Sequence, residues 1–506
     1  MIRFSNQEQR MGFMKQSYEF NKLCLVFLMG ILISSLSGCG SDSSRNTTAP
    51  LRADNLNLIF VVSPDLAYNA GDINPATANL SNQGLQRSLL MATYLKQHVL
   101  GTKNVTAIYA LEPMTHLQTA NNYPDMAAIG YIQQFALLNQ ITLTGKGGAG
   151  SPFLTANSYP LNVAYASGGV PSGVSPPFLS CPGSPGCQGL DFYNTEGDNK
   201  ALVAAIVKAN VPGFYVFSAP WETTSALLAK INTLYGYNLK LPATYEGPNH
   251  VYVISIALSG DASLVTYNSN LNPPSTYPVL PEPVAGASCP GPDTTPELFS
   301  IKATGGINGI NHNETVYLIR HAEAHPVSGW DDGNFVAAGQ WRALALPNAL
   351  QGKINPTQVY SIDPAQVYPG ALETPGNFSF PYVRPSLTIE PYAIANNLPY
   401  YLVADLDMWD LIKSLQLTSD YFFKGGRFSN QTVLVAWEHA HIPPTIDALL
   451  ANHFPTYSGP KAPTWPENDY DTIWTVKLDA QGNLTVDNEL CEGIDSVKLP
   501  VTAPHF

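Results

Sequence analysis

Charged side chains are scarce: Asp, Glu, Lys and Arg make up 12% of the 506 residues. Positive charge is scarcer still, with 25 Lys and Arg against 38 Asp and Glu, a formal net charge of −13. No basic stripe runs along the chain, which removes nucleic acid as an expected partner. Cysteine is sparse, six in all. No Cys-x-x-Cys knuckle occurs among them, so no zinc site is expected from cysteine. The apolar run 23–36 is too short to span a bilayer comfortably. What is plentiful is Pro (42), Gly (39) and Tyr (26), with 45% apolar residues. That mixture builds packed cores joined by loops and excludes disorder, which needs high charge and few aromatics. Length alone predicts two domains of about 200 residues each.

Lys15 and Lys22 precede the apolar run, and Leu36-Ser37-Gly38-Cys39 closes it. The arrangement resembles a bacterial lipoprotein signal. The resemblance implies that residues 1–38 are removed, that Cys39 is lipidated, and that residues 39–53 form a flexible tether. The expected location is the bacterial cell envelope, periplasm or outer membrane, with the membrane engaged through the lipid. A plain secretory signal with an incidental cysteine is the alternative, and Met11 or Met14 could serve as the start. Cys24 falls inside the signal, which leaves Cys181, Cys187, Cys289 and Cys491. Four cysteines allow three pairings. Those expected are Cys181–Cys187, closing a Pro/Gly loop, and Cys289–Cys491, tying the middle of the chain to its end, as an oxidising compartment permits.

One order of segments occurs twice. The strand-like run Asn57–Val62 is followed by a helix opening near Asn79–Leu85, then by a second strand, Val105–Leu111, with Glu112-Pro113. The run Val316–Ile319 is followed by Asn334–Leu344 and then by Gln358–Ile362 with Asp363-Pro364. Tyr123-Pro124 matches Phe380-Pro381, Gly213–Pro220 matches Thr432–His439, and the closing strands begin near His250 and Asp471. Strands alternating with amphipathic helices predict parallel pairing and helices on both faces of a sheet. The expected fold is α/β, as two tandem three-layer α/β/α domains, each with a mostly parallel sheet. Residues 54–271 form the first, with an insertion at about 144–190. Residues 272–299 form a Pro-rich linker and residues 300–506 the second domain.

Chemistry concentrates in the second copy. The strand Thr315–Ile319 runs into Arg320 and His321, followed by Glu323 and His325. Ligands of open α/β sheets bind beyond the carboxyl ends of strands. A guanidinium fork grips phosphate oxygens and a ring nitrogen can attack phosphorus. Together with the Ala338-Gly339 helix start, the Tyr360-Ser361 strand end, Arg384 before Thr388, and His439 at another strand end, the segment resembles the histidine phosphatase (phosphoglycerate mutase-like) superfamily over about 314–476. The resemblance implies a metal-independent phosphomonoesterase with no cofactor, acting on a phosphorylated small molecule. His321 would be the nucleophile, and Arg320, Arg384 and His439 would line the phosphate pocket. The general acid is left between Glu438 and Glu323, with a lean to Glu438. Transfer to a second hydroxyl, a mutase reaction, uses the same intermediate.

His321, His325, His439 and His441 could compose a metal site, but two arginines aimed at the same place would repel a cation, and the order is not His-Glu-x-x-His. In the first copy, Val62 and Ser63 stand opposite Arg320 and His321, Ala127 opposite Arg384, and Pro220 opposite His439. Every phosphate-handling side chain is missing there, so that copy reads as catalytically dead. Ser63 as a substitute nucleophile has no histidine beside it. The rival class for the whole chain is a non-catalytic lipoprotein that binds an anion or a partner on the same scaffold. Substrate and oligomeric state leave no mark in the sequence.

Overall fold

Short runs of β-branched and aromatic residues alternate with helices along most of the chain, as β/α units require. In the computed structural model, the residues described are 48–69, 71–113, 123–139, 141–142, 157–158, 162–163, 198–289, 298–303, 309–324, 332–364, 367–369, 379–403 and 419–506. The expected signal, Cys39, the Cys181–Cys187 pair, His325 and nearly all of the insertion lie outside the described residues. Among the described residues, no helix is long and apolar enough to cross a membrane.

The first half contains β1 (Leu56–Val62), α1 (Asn82–Tyr94), β2 (Ala107–Ala110), α2 (Ala127–Leu138), β3 (Asn162–Val163), α3 (Asp198–Ala209), β4 (Gly213–Ala219), α4 (Trp221–Tyr235), β5 (His250–Ile256) and β6 (Ala262–Asn268). The second half contains β7 (Leu298–Ile301), β8 (Glu314–Arg320), α5 (Ala337–Ala349), β9 (Gln358–Ile362), α6 (Arg384–Asn396), β10 (Tyr400–Val403), β11 (Thr432–Trp437), α7 (Ile442–His453), β12 (Thr472–Leu478) and β13 (Leu484–Cys491). The strand order is β6-β5-β1-β4-β2-β3 in one sheet and β7-β13-β12-β8-β11-β9-β10 in the other. Without β7 the two orders coincide strand for strand. β1 and β8 each pair in parallel with β4 and β11, and antiparallel with β5 and β12. Each sheet is therefore mixed, parallel through its centre, with one reversed strand in the first (β5) and two in the second (β12 and β7).

Strand β1 is buried along its whole length. Leu56, Leu58, Phe60 and Val62 face a cluster with α3 and α4, while Ile59 and Val61 face another. Alternation with both faces covered is what a central parallel strand demands. The second cluster runs without a break through α1, α2, α5 and α6 to Ile319 of β8. These four helices thus lie between the sheets. α7 and aromatics of 421–428 cover the far face of the second sheet. Residues 48–506 form one compact unit.

The contact between halves is intimate. Gln133 of α2 and Asn334 exchange two amide hydrogen bonds, 2.9 and 3.0 Å. A Cβ on Gly130 of α2 would run into the Glu390 carboxyl of α6, so this crossing needs glycine for close approach. The Pro-rich stretch is pinned to both halves. Gln86 of α1 donates to the Thr276 carbonyl (3.2 Å), Tyr277 donates to that of Leu344 (2.9 Å), and Gly286 bridges to Ile494. The expected Cys289–Cys491 disulfide is present, with a Cα separation of 5.5 Å.

Beneath the second sheet's edge, Arg342 of α5 is wholly buried among acidic groups. Its Nε donates to Glu323 (2.7 Å), Nη1 to Asp471 (3.4 Å) and Glu492, and Nη2 to Ser496 (2.7 Å). Burial pushes the pKa of the Glu492 carboxyl up to about 8 against the pull of Arg342. Removing the cation would strand buried carboxylates. Arg342→Ala is therefore expected to lower the urea unfolding free energy by roughly 3–5 kcal/mol, the cost of breaking a buried pair. A midpoint equal to that of the parent would contradict the network.

Candidate active site

The pairing of β8 with β11 builds the site. Their parallel register runs from Thr315 opposite Thr432 to Arg320 opposite Trp437. One residue further, the His321 N–H donates to the Trp437 carbonyl at 2.8 Å. The segments leaving the carboxyl ends of these neighbouring strands are Arg320-His321 and Glu438-His439. Side-chain donors of His321, Glu438 and His439 all lie within 4.8 Å of one another. Arg384 arrives from a third element as the first residue of α6. Pro385, pre-set for a helix start, follows it, and the Arg384 N–H is held by the Gly333 carbonyl at 3.0 Å. Thr388, one turn on, accepts from the Ala322 N–H (2.8 Å) and donates to the Arg384 carbonyl (2.7 Å). That relay ties the loop after His321 to the helix carrying Arg384.

Both guanidiniums are stacked on tyrosine rings, and that of Arg320 is also clamped. The Arg320 guanidinium lies 3.9 Å over the Tyr470 ring, and its Nη1 donates to the carbonyls of Glu467 (2.7 Å) and Asp469 (3.1 Å). The Arg320 Nε is buried with no hydrogen-bond partner. Arg384 lies 4.4 Å over Tyr382. The same two tyrosines present themselves to His321, with centroids 6.2 and 6.1 Å away.

His321 is 2% exposed. Burial, then the charges of Arg384 and Arg320, drive its pKa well below the ordinary imidazole range; the opposing pull of Glu438 does not prevail. Its Nδ1 sits 2.8 Å from the Ala322 carbonyl. A carbonyl only accepts, so Nδ1 carries the hydrogen and Nε2 keeps the lone pair. The result is a neutral imidazole with a free nucleophilic nitrogen, flanked by two guanidiniums.

Glu438 is buried in the same pocket. Burial alone would push its carboxyl up; contacts from His439 and His441 outweigh that and hold it well below the usual range. Its Oε2 accepts from the Ala440 N–H (2.6 Å) and faces the His441 Nδ1 (3.1 Å), while Oε1 touches the His439 ring. The other His439 nitrogen faces Glu467 at 3.2 Å.

The sequence candidates Arg320, His321, Arg384, Glu438 and His439 thus come together. Glu323 does not. Its Oε1 is taken by Arg342 and Ser496 (2.7 and 2.8 Å), and it is not among the donors grouped with His321. One correction concerns register. Ser63 donates to the Ala219 carbonyl at 2.9 Å, as His321 does to Trp437. That places Pro220 opposite Glu438, and Trp221 opposite His439, one residue from the expected match. Trp221 packs on Tyr245 and Tyr252, centroids 5.7 and 5.5 Å away. The first half thus has an indole where the second has an imidazole.

The residues that sequence reading missed are Glu467, Asp469 and Tyr470, which clamp Arg320, and Tyr382 beneath Arg384. The signal was available for the first three. A closing strand antiparallel to β8 must begin beside the residue that ends β8, as the pairing of Ile319 with Ile473 requires.

No protein-family model and no curated protein matches the chain. Among solved structures it is similar to a protein from Agrobacterium tumefaciens assigned as the phosphohistidine phosphatase SixA, at 16% identity, covering 33% of this chain and 92% of that one, with a TM-score of 0.20. It is similar to a phosphoglycerate mutase from Plasmodium falciparum at 15% identity, covering 38% and 96%, with a TM-score of 0.21. A phosphoserine phosphatase from Entamoeba histolytica with phosphoserine bound matches at 13% identity, covering 37% and 98%, with a TM-score of 0.18. These neighbours are histidine phosphatase-family proteins. At TM-scores this low, any functional reading must rest on the geometry of the site.

Because folding depresses the His321 pKa, the neutral ring persists as pH falls. The stability linked to it is intact above the unfolded value of about 6.5 and is lost as pH drops below it. A histidine ring NMR titration should therefore show His321 uncharged well under that pH. Arg384→Gln, which removes one opposing charge, should move its titration upward. A parent His321 titrating near the unperturbed value would contradict the electrostatics described.

Proposed function

We propose that the chain is a phosphomonoester hydrolase of the histidine phosphatase type, acting through a phosphohistidine on His321. The observation that carries this reading is the meeting of a buried neutral imidazole, a guanidinium and a second imidazole at adjacent strand ends with a second guanidinium from the start of α6. Two fixed cations complement the charge spread over the equatorial oxygens of a transferring phosphoryl group.

The His321 Nε2 attacks phosphorus while Arg320, Arg384 and His439 hold the non-bridging oxygens. An N–P bond forms, the ester P–O bond breaks, and its electron pair leaves on the departing oxygen. That oxygen takes a proton from Glu438. The contacts of Glu438 with His439 and His441 favour its ionised form, and the negative charge of a bound phosphoryl dianion raises its pKa, so that it takes up a proton from solvent as the substrate binds. In the second step Glu438 takes a proton from water as the water oxygen attacks phosphorus, and the N–P electrons return to Nε2. A metal at the His321–Glu438–His439 donors is the less suitable occupant by charge. Two guanidiniums already act on that imidazole, and Glu438 Oε2 is engaged by Ala440 and His441.

The reading includes a tandem duplication, with the first half a degenerate copy. Support comes from the common strand order and pairing senses, and from Ser63 holding the register position of His321. Further support comes from Arg87 of α1, which pairs with Asp72 at 3.0 Å as Arg342 pairs with Glu323. Asn79 and Asn334 also match, each accepting the following N–H at 2.8 Å. Export and lipid attachment through Cys39 belong to the same reading, and the Cys289–Cys491 bond is in keeping with an oxidising compartment.

Purified protein in EDTA is expected to hydrolyse p-nitrophenyl phosphate with inhibition by vanadate. His321→Ala should lose about 10³-fold or more, as nucleophile removal does. Acid-labile, alkali-stable phosphate should be trapped on the parent alone. Equal background turnover from both proteins, with phosphate still bound in a calorimeter, would favour the non-catalytic anion binder instead.

A further inference from the structure

The two oxygens of Glu438 sit in different settings. Oε2 is held by the Ala440 N–H and faces His441, whereas Oε1 touches the His439 ring, and the carboxyl as a whole is grouped with His321 and His439. His441 itself is buried, 6% exposed, and precedes α7 without capping it through its side chain. The Trp437 indole packs on its ring at 5.3 Å. Its Nδ1 is 3.1 Å from Glu438, and its Nε2 is buried with no hydrogen-bond partner. Since the acceptor is a carboxylate, Nδ1 carries the hydrogen. A histidine that leaves one nitrogen buried and unpaired is a poor choice for packing alone, because that atom forfeits its hydration.

We propose that His441 is a positioning residue for proton transfer: its Nδ1–H fixes Oε2 of Glu438 so that Oε1 is the oxygen presented to the leaving group and the attacking water. This rests on the hydrolase reading above. A carboxylate at the end of a strand turns about two side-chain bonds. Losing one of the two donors on Oε2 spreads Oε1 over orientations of which few are productive. The chemistry of His321 on phosphorus does not pass through this contact. The penalty therefore scales with how much protonation the leaving oxygen needs.

The test compares kcat/KM on two substrates within each variant. The leaving oxygen of p-nitrophenyl phosphate needs little proton assistance, whereas glycerol 2-phosphate expels an alkoxide. The ratio cancels any inactive fraction of a poorly folded preparation. His441→Leu, which removes the donor, is expected to lose about tenfold to a hundredfold more on glycerol 2-phosphate than on p-nitrophenyl phosphate, within the range of acid catalysis. Glu438→Gln should show the same split. His441→Asn, which places an N–H near the position of Nδ1, should recover most of it. Equal losses on both substrates in His441→Leu would overturn the proposal, as would an Asn variant no better than Leu. A Glu438→Gln variant without the split would overturn it too, by removing the group being positioned. Turnover retained in His321→Ala would instead bring down the hydrolase reading on which it rests.

Discussion

Everything at the candidate site depends on one backbone contact, the His321 N–H on the Trp437 carbonyl at 2.8 Å. It carries the parallel register of β8 and β11 one residue beyond β8, and so decides which side chains leave the two strands together. A slip of one residue would turn Arg320 or Glu438 to the opposite face, because side chains alternate along a strand. The register is secured by burial on both faces of β8 and β11. Val316, Leu318, Val433 and Val435 lie in one cluster, and Ile319, Leu434 and Ala436 in the other. Two dry faces penalise any slip.

The pocket gathers positive charge in a protein with a formal net charge of −13. That charge has to be stabilised without being neutralised, or it would be lost to a ligand. The clamp on Arg320 meets this condition. Carbonyls of Glu467 and Asp469 and the face of Tyr470 supply partial negative charge, and no carboxylate side chain is seen to pair with Arg320 among the described residues. Arg342 shows the contrary arrangement. It is ringed by three carboxyls and consequently holds the structure rather than a ligand. Two arginines of one half, both buried, are assigned opposite parts by their neighbours.

The two halves share strand order but differ in what fills the ends of their strands. Where His439 stands in the second, Trp221 packs against tyrosines in the first, so that end is closed with aromatic rings. The first half still reaches the site indirectly. Gln133 holds Asn334 in the loop whose Gly333 carbonyl receives the Arg384 N–H. The helices α1, α2, α5 and α6 share one hydrophobic cluster, which makes the halves a single folding unit in contact terms, although the pattern of strands and helices repeats.

Much of this was legible along the chain. Short continuous apolar runs ending in Arg320-His321 and Glu438-His439 located the strand ends, and the repeated order of segments foretold two sheets of like topology. Arg384 was assigned only through the resemblance of its segment to the histidine phosphatase superfamily, since nothing in its own neighbourhood marks it. By itself, the chain determined which residue types stand at which strand ends, since that follows from the local apolar runs. Only the tertiary structure showed that Glu438 lies with His321 and His439 while Glu323 is held by Arg342, because a carboxylate's surroundings depend on who is within reach. The clamp on Arg320, the support of Glu438 by His441, and the one-residue shift that sets Trp221 against His439 likewise rest on register and packing between segments far apart in sequence. No local pattern encodes those distances.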